Sequence, residues 1–304
     1  MSIAPVLALP SKGRLKESAE TYLTHQLGLT ISGQSERGYT AQLHAGDQTH
    51  DMVYLQARDI AESLIKGQLA FGITGIDLLR ESGGKQEEDY EVLFPLGFGH
   101  ADLIVAVPDG WVDVRSMSDL SEVAQDFFHR RGRRLRVATK YHRLTREFFL
   151  HHQVHEFRIV DSSGATEAAP YAGQAELIVD ITSTGATLRA NDLRIIDDGQ
   201  ILSSQAVLVS SLRRRHSAGE YRLQELFLAM QQAQAHAKNC VLIHVALGKL
   251  PSKLREQLTK SSIMHVSDQG RFVVPAQHLS GLVASGLFAE GHAVTISPIT
   301  YANP

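Results

Sequence analysis

The first 211 residues of the chain repeat one order of apolar and polar positions. A short apolar run is followed by a turn with glycine or hydroxyl residues, and the turn by a stretch with helical periodicity. The apolar runs of the four clear repeats are residues 5–10, 69–73, 136–139 and 177–180. Strands that alternate with helices predict right-handed βαβ units in a largely parallel sheet, with ligands at the carboxyl ends of the strands.

Two longer apolar runs, residues 94–108 and 195–211, interrupt this repeat. We expect the first run to lead from one α/β lobe into a second lobe and the other run to lead back. Residues 1–104 and 184–216 then form the first lobe, and residues 105–183 form the second. Two α/β lobes that face one cleft are the layout of type II periplasmic binding proteins.

The sequence pattern of residues 217–304 predicts a separate C-terminal module. After a helix at residues 221–236, the predicted elements are a strand at 240–247, a helix at 252–260, strands at 263–267 and 271–275, a helix at 278–288 and a strand at 293–297. This βαββαβ order is the ferredoxin-like pattern. ACT-type regulatory modules use the same pattern to bind amino acids.

The composition narrows the class of protein. The chain is 43% hydrophobic and 21% charged, which is ordinary for a globular protein, and its net charge of −3 gives no attraction to nucleic acid or to a membrane surface. Cys240 is the only cysteine, and its apolar surroundings predict a buried structural thiol. The chain has no membrane-spanning run and no signal-peptide pattern at its start, so we expect a cytoplasmic protein.

Two patterns of charged or titratable residues are more typical of a solvated surface than of a functional site. The basic runs at residues 129–136 and 213–215 lack interleaved aromatic residues, so we expect solvated charge and no nucleic-acid site. His151, His152 and His155 have helical spacing, but they lack an acidic partner, and we therefore expect no protein-held metal ion.

The stretch DITSTGATLRAN at residues 180–191 carries the densest candidate chemistry. Its hydroxyl residues and Gly185 stand where a helix begins, and the N–H groups of a helix start suit an anion. Serine and threonine also cap helices with no ligand present. Taken alone, the stretch leaves both a capped helix start and a phosphate site open.

Several stretches together closely resemble ATP phosphoribosyltransferase, the first enzyme of histidine biosynthesis. They are LPSKGRL at 9–15, FGITG at 71–75, RVATKY at 136–141, GATEAAP at 164–170 and the stretch at 180–191. The resemblance covers residues 5–211 in order and spacing, and residues 217–304 resemble the regulatory domain of the long form of the family. It implies condensation of ATP with 5-phosphoribosyl 1-pyrophosphate (PRPP) into N1-(5-phospho-β-D-ribosyl)-ATP and pyrophosphate.

The resemblance also implies roles for individual residues. The residues expected to cradle the 5-phosphate of PRPP are Ser183, Thr184, Gly185, Ala186, Thr187 and Leu188. Asp180 and Glu167 are expected to contact the ribose hydroxyls, and Lys12 and Arg14 to meet pyrophosphate or the ATP phosphates; these four are the predicted catalytic residues. The remaining residues expected at the ATP site are Gly13, Thr74, Gly75, Asp77, Lys140 and Tyr141.

These residue types suit the chemistry of the transfer. Cations and N–H groups stabilise the charge that develops on departing pyrophosphate, and carboxylates suit a ribosyl centre with oxocarbenium character. The expected Mg²⁺ ion is carried by the substrate phosphates. Histidine is the expected inhibitor, and a homo-oligomer, a hexamer in equilibrium with dimers, is the expected assembly.

Other interpretations stay open. Lys12, Arg14 and Lys140 are also compatible with solvated surface charge, and Glu167 with a first-turn helix acid. The chain could be a non-catalytic two-lobed protein that binds a phosphate or nucleotide, or a regulatory subunit. The presence of both Asp180 and Glu167 favours the enzyme, because phosphate capture alone needs no acids that contact ribose.

Overall fold

The computed structural model describes residues 6–33, 38–162, 164–245, 252–262, 264–266, 270–284, 287 and 294–298. The predicted element ends at residues 5, 247, 263, 267, 288 and 293 lie outside these ranges. The chain divides into two compact units, residues 1–24 with 29–220 and residues 25–28 with 221–304. Each unit is described by itself.

The first unit begins with a seven-stranded sheet. Its strands are β1 (Leu7–Pro10), β2 (Thr30–Ser32), β3 (Thr40–Ala45), β4 (Gln48–Leu55), β5 (Phe71–Gly75), β6 (Tyr90–Pro95) and β12 (Ala206–Ser211), in the order β2-β3-β4-β1-β5-β12-β6. Its helices are α1 (Gly13–Thr21), which continues as a π-helical turn (Tyr22–Gln26), α2 (Ala57–Ile65) and α3 (Ile76–Glu81).

A five-stranded sheet forms the second lobe of the same unit. Its strands are β7 (Ala101–Pro108), β8 (Leu135–Thr139), β9 (Phe157–Asp161), β10 (Leu177–Thr182) and β11 (Leu193–Ser204), in the order β11-β7-β10-β8-β9. Its helices are α4 (Met117–Arg131), α5 (His142–His151) and α6 (Ala186–Ala190), with a 3-10 turn (Thr166–Ala168). The predicted two-lobed α/β architecture is confirmed.

Both sheets are mixed, whereas the sequence predicted a largely parallel sheet. Parallel pairing is confined to the neighbours β4-β1-β5 and β10-β8-β9. The remaining pairs are antiparallel because the strands that cross between lobes run back along their neighbours, and because β2, β3 and β4 form a meander. The sequence analysis assigned no strand to this meander. Its signal was the alternation of buried Ala41, Leu43 and Ala45 with polar residues before a turn at Gly46.

The return to the first lobe occurs later than expected. The sequence analysis placed it at residue 184, but β11 pairs with β7 in the second sheet from Leu193 to Ser204. The chain changes sheet at Gln205, between β11 and β12. The short helix α6 intervenes without leaving the second lobe, where its Leu188 packs in the core.

Continuous apolar strands explain the cores of both lobes. Leu7, Ala8 and Leu9 are fully buried in β1, as expected for a strand covered on both faces. Local residues also fix the ends of α4, which begins at a capping box between Ser116 and Asp119 and ends at Gly132, whose φ is +65°.

The second unit contains the predicted βαββαβ order. Its elements are β13 (Cys240–Val245), α8 (Ser252–Ser261), β14 (Met264–Val266), β15 (Arg271–Pro275), a 3-10 turn (Ala276–His278), α9 (Leu279–Ala284) and β16 (Val294–Pro298), preceded by α7 (Ala218–Lys238). The antiparallel sheet has the ferredoxin-like order β14-β15-β13-β16. Cys240 is buried, as predicted. Within the described residues, no helix combines the length and the apolar character that a membrane crossing requires.

Candidate active site

The carboxyl ends of β1 and β5 lie at one edge of the first sheet, because the two strands are parallel neighbours. Lys12 forms the N-cap of α1, and Gly13 follows it with a φ of +72°. Arg14 lies in the first turn, and no side chain caps this helix start. Lys12 and Arg14 are exposed, so this edge offers two cations beside uncapped N–H groups, an arrangement that suits an anion.

The turn after β5 is packed more tightly than the sequence indicates. Thr74 is fully buried, and its hydroxyl donates to the carbonyl of Ala57 at 2.7 Å, which anchors the start of α2. A Cβ atom on Gly75 would clash with Oδ1 of Asp77, so a larger residue here would displace the buried Asp77 carboxylate. Of the residues predicted here for ATP, Thr74 has its hydroxyl committed to the fold, while Gly75 and Asp77 line a cavity.

Asp77 accepts hydrogen bonds from two distant residues. Its Oδ1 accepts from the Ser204 hydroxyl at 2.6 Å, and its Oδ2 accepts from the Tyr141 hydroxyl at 2.8 Å. The backbone N–H of Asp77 donates back to Ser204 Oγ at 3.1 Å. All three side chains are buried. Burial, followed by the charge and the hydrogen bond of Asp77, raises the pKa of Tyr141, so the tyrosine remains a protonated donor.

Asp180 lies in β10 near its carboxyl end, beside the predicted acid Glu167. Burial raises the pKa of Asp180, and the charge of Glu167 adds to this, while hydrogen bonds from the Ile181 N–H and Thr166 and the charge of Lys140 oppose it. Glu167 lies in the 3-10 turn and is half-buried. The structure therefore brings the two predicted ribose-contacting carboxylates close enough to interact electrostatically.

The loop after β10 has the shape of a helix start. Gly185 has a φ of +68°, and its N–H donates to Thr182 Oγ1 at 3.0 Å. The N–H of Ala186 donates to Thr184 Oγ1 at 3.3 Å. Ser183, Thr184, Ala186 and Thr187 are exposed, while Leu188 is buried. Local hydroxyls thus cap this turn, as the capped-helix interpretation predicts, and an exposed hydroxyl rim surrounds it.

Lys140 links the second lobe to its own loop and to the first lobe. Its ammonium donates to the Gly164 carbonyl at 3.0 Å, next to the 3-10 turn that carries Glu167. Its own carbonyl accepts from Nη2 of Arg58 at 2.8 Å. The sequence analysis did not identify Arg58, a helix residue whose partner is 82 positions away in the chain.

A cavity of about 480 Å³ lies between the two lobes of the first unit. Its lining residues are Arg14, Leu15, Ser18, Gly75, Asp77, Leu78, Phe98, Gly99, His100, Ala101, Tyr141, Ile181, Ser183 and Ala206. Five of these were predicted site residues, whereas Lys12, Asp180, Glu167 and Lys140 are not among the described lining residues.

Phe98 and His100 were not predicted, although both line this cavity. They lie in the segment that crosses from β6 to β7, where Gly97 and Gly99 have φ values of +74° and +68°. The glycine-rich sequence GFGH was the available signal for a tight crossing beside a ligand site.

The two basic runs are mostly exposed, as expected of solvated charge, but several of their arginines also form ion pairs that the sequence did not predict. Arg213 pairs with Asp89 at 2.6 Å, and Arg214 pairs with Glu220 at 2.5 Å. In the other run Arg136 donates to Glu176 at 2.7 Å. Burial alone would raise the pKa of Glu176, but hydrogen bonds from the arginines outweigh it and lower the pKa to about 2. Asp89 lies 124 positions from Arg213, and Glu176 lies 40 positions from Arg136, so local pattern could not reveal these two pairs.

Comparisons with a family profile and with individual known proteins point to the same family. The sequence profile of the family described as HisG, ATP phosphoribosyltransferase, matches residues 56–232. The chain is 52% identical over 213 residues to ATP phosphoribosyltransferase of Brucella anthropi, covering 70% of this chain and 92% of the relative. It is 45% identical over 261 residues to that of Nitrobacter winogradskyi, covering 86% of this chain and 75% of the relative.

A solved structure extends the likeness to the fold. The ATP phosphoribosyl transferase (HisG:HisZ) complex from Thermotoga maritima matches with a TM-score of 0.55 and 26% identity, covering 75% of this chain and 97% of that one. The predicted enzyme is therefore favoured over the non-catalytic binding protein and the regulatory subunit. By its profile match and by these relatives, the chain belongs to the ATP phosphoribosyltransferase family, whose members are phosphoribosyltransferases of histidine biosynthesis.

Proposed function

We propose that the chain joins ATP to PRPP at the cleft between the two lobes of its first unit. The observation that carries this assignment is the cavity that gathers Arg14, Asp77, Tyr141 and Ser183 from both sheets. Two bulky anionic substrates must be held in line for adenine N1 to displace pyrophosphate at ribose C1. A cleft lined from both lobes can orient one substrate against the other.

The loop at residues 183–188 binds the 5-phosphate of PRPP in this proposal. Gly185 places its N–H beside that of Ala186, and the exposed hydroxyls of Ser183, Thr184 and Thr187 can donate to phosphate oxygens. The Thr182 and Thr184 hydroxyls that accept from the two N–H groups can turn away when phosphate replaces them. Leu188 packs in the core and holds the loop in place.

Asp180 and Glu167 bind the ribose hydroxyls and stabilise the transition state. A partly buried carboxylate such as Asp180 is poorly solvated, as its raised pKa indicates. Poor solvation of a negative charge costs free energy. Positive charge that develops at C1 in the transition state offsets this cost more than the neutral ground state does. Lys12 and Arg14 stabilise the opposite charge, which accumulates on departing pyrophosphate.

The ATP side of the cleft is formed by Gly13, Gly75, Asp77, Lys140 and Tyr141, and Thr74 supports the turn from the core. Mg²⁺ enters on the substrate phosphates. Mg²⁺ commonly keeps several waters and takes one or two carboxylates plus phosphate oxygens. On those phosphates the ion would neutralise charge between the two substrates.

The C-terminal unit is proposed as a histidine sensor. The family profile ends at residue 232, before β13 begins, and the Brucella relative is nearly covered by 70% of this chain. The ferredoxin-like sheet is therefore an addition to the matched region, and its fold suits an amino-acid ligand. We expect a homo-oligomer, a hexamer in equilibrium with dimers; association is supported by the solved relative, which is a HisG:HisZ complex.

Pyrophosphate release from ATP plus PRPP tests the proposal directly. We expect release that needs both substrates, stops when EDTA removes Mg²⁺, and falls when histidine is added. Dependence on a different phosphoribosyl acceptor would overturn the ATP assignment. Full activity in EDTA would overturn the role of Mg²⁺, and insensitivity to histidine would overturn the sensor assignment without affecting the catalytic one.

A further inference from the structure

The buried carboxylate of Asp77 lies where three parts of the first unit meet. Asp77 belongs to α3 of the first lobe, and Tyr141 precedes α5 of the second lobe. Ser204 ends β11, immediately before the chain crosses back at Gln205. The Asp77 side chain of the first lobe therefore bonds to Tyr141 of the second lobe and to the strand that leads back from it.

We propose that Ser204 and Tyr141 are positioning residues that set the spacing of the two lobes for the reaction by sharing the carboxylate of Asp77. The proposal rests on the location of the reaction in the cavity that Asp77 and Tyr141 line. It adds Ser204 to the functional residues, and it assigns the polar groups of Asp77 and Tyr141 to each other rather than to substrate.

The bonding pattern supports this role. Each carboxylate oxygen accepts from one hydroxyl, and Asp77 and Tyr141 are 5% and 6% exposed, so water competes little for either bond. Removing one hydroxyl leaves a buried acceptor short of a donor, which is more costly than losing a surface hydrogen bond. The high pKa of Tyr141 keeps its proton in place across the physiological range.

Other hydrogen bonds also connect α3 of the first lobe to the start of α5 in the second lobe. Both oxygens of Glu81 in α3 accept N–H groups at the start of α5, from Arg143 and Leu144, at 3.0 Å each. These bonds hold α3 against α5, but they lie outside the cavity lining. Of these hydrogen bonds between α3 and the second lobe, those of Asp77 lie at the cavity. They therefore control the distance between the groups that face the substrates.

The test combines kinetics with a direct distance measurement. Spin labels at Lys66→Cys, directly after α2, and at Glu122→Cys in α4, in a Cys240→Ser background, report the separation of the lobes by pulsed electron resonance. Lys66 and Glu122 are exposed, and Cys240 is buried in the second unit. We expect Tyr141→Phe and Ser204→Ala each to broaden the distance distribution and to lower kcat/KM about tenfold.

Ser211→Ala is the matched control. Ser211 is also buried, and its hydroxyl donates at 2.6 Å to the carbonyl of Leu64 within the first lobe. We expect a similar loss of thermal stability but an unchanged distance distribution and kcat/KM within about twofold of wild type.

Two results would overturn the proposal. One is a wild-type distance distribution in Tyr141→Phe, with or without a kinetic defect, since a defect alone would indicate direct contact with substrate. The other is a broadened distribution with unchanged kcat/KM. The distances are measured without substrates and do not depend on activity. A wild-type protein that releases no pyrophosphate would therefore overturn the proposed function, while the distance measurements would still show whether Asp77 holds the two lobes together. If one variant fails to fold, the other carries the same test.

Discussion

A Cβ atom on Gly185 would lie 3.0 Å from Nη1 of Arg189, one helical turn further along the chain. Gly185 also has a φ of +68°, where a residue with a side chain costs about 1–2 kcal/mol. We therefore predict that Gly185→Val weakens PRPP binding by more than about 100-fold, because the loop can no longer place its N–H groups against phosphate. Isothermal titration measures this directly.

Gly173 provides the control for backbone strain. It has the same φ of +68° with no atom within 4 Å of a Cβ, and it lies outside the proposed loop. Gly173→Val should cost similar stability and keep PRPP affinity. Equal PRPP affinity in folded Gly185→Val and wild type would contradict the phosphate-loop assignment.

Asp180→Asn tests the transition-state role of the carboxylate. We predict that kcat falls by about 100-fold or more while KM for PRPP changes less than about threefold, because the negative charge matters most as C1 becomes positive. Steady-state kinetics with both substrates separate the two effects. Asp161→Asn, an exposed acid at the end of strand β9 in the same sheet, serves as the control and should retain wild-type kcat. A raised KM with intact kcat would rule out the proposed role.

The pKa of Glu176 predicts how stability depends on pH. Its folded-state pKa is lowered from 4.5 to about 2, so its ion pairs with Arg136 and Arg133 stabilise the fold at pH values above the unfolded pKa. That contribution is lost as pH falls from about 4.5 toward 2. Glu176→Gln should lower the free energy of unfolding by about 2 kcal/mol at pH 7, and the difference from wild type should shrink below pH 4.

Urea unfolding at pH 7 and at pH 3 measures both effects. Glu156→Gln is the comparison, because its partner Arg134 is 57% exposed and such surface pairs contribute little. A constant difference between Glu176→Gln and wild type at the two pH values would show that the carboxylate charge is not responsible.

His100 lines the same cavity as Arg14 and offers a hydrogen-bond donor there. We predict that His100→Ala raises the KM of at least one substrate by about three- to tenfold, the expected effect of losing one hydrogen bond to phosphate, with little change in kcat. His142→Ala is the matched control, because His142 pairs with Asp161 at 3.1 Å and is not a described lining residue. Equal KM values in wild type and His100→Ala would remove this residue from the site.

Removing residues 221–304 tests the proposed sensor. This cut keeps the Ser217–Glu220 capping box and the ion pair between Arg214 and Glu220. We predict that histidine inhibition is lost while catalysis persists, because a ligand inhibits only if it binds the less active state more tightly. Histidine titrations of the truncated and full-length proteins provide the measurement. Inhibition that survives the truncation would place the sensor elsewhere.

Local pattern predicted the elements well where the pattern repeats. The order of the C-terminal elements follows from periodicity and turn residues, and Arg271–Pro275 is one strand in both; α7 begins at Ala218 rather than at residue 221, and β16 ends at Pro298 rather than at residue 297. The meander at residues 30–55 was missed although β3 alternates apolar and polar residues; in β4 the polar residue His50 occupies a buried position and interrupts that alternation. The contacts within the candidate site were harder to predict from the sequence. Asp77 and Tyr141 are 64 positions apart, and no local signal shows that they share a hydrogen bond.

The place of β12 in the first sheet has a consequence for how the chain folds. This strand pairs with β5 on one side and with β6 on the other. During synthesis β5 and β6 emerge before their shared neighbour, and the whole second sheet, residues 101–204, must follow before β12 appears. The inserted lobe can complete its hydrogen bonding while the lobe that begins and ends the unit still has exposed strand edges, which are prone to wrong pairing. In this protein the later-made lobe is therefore expected to fold first.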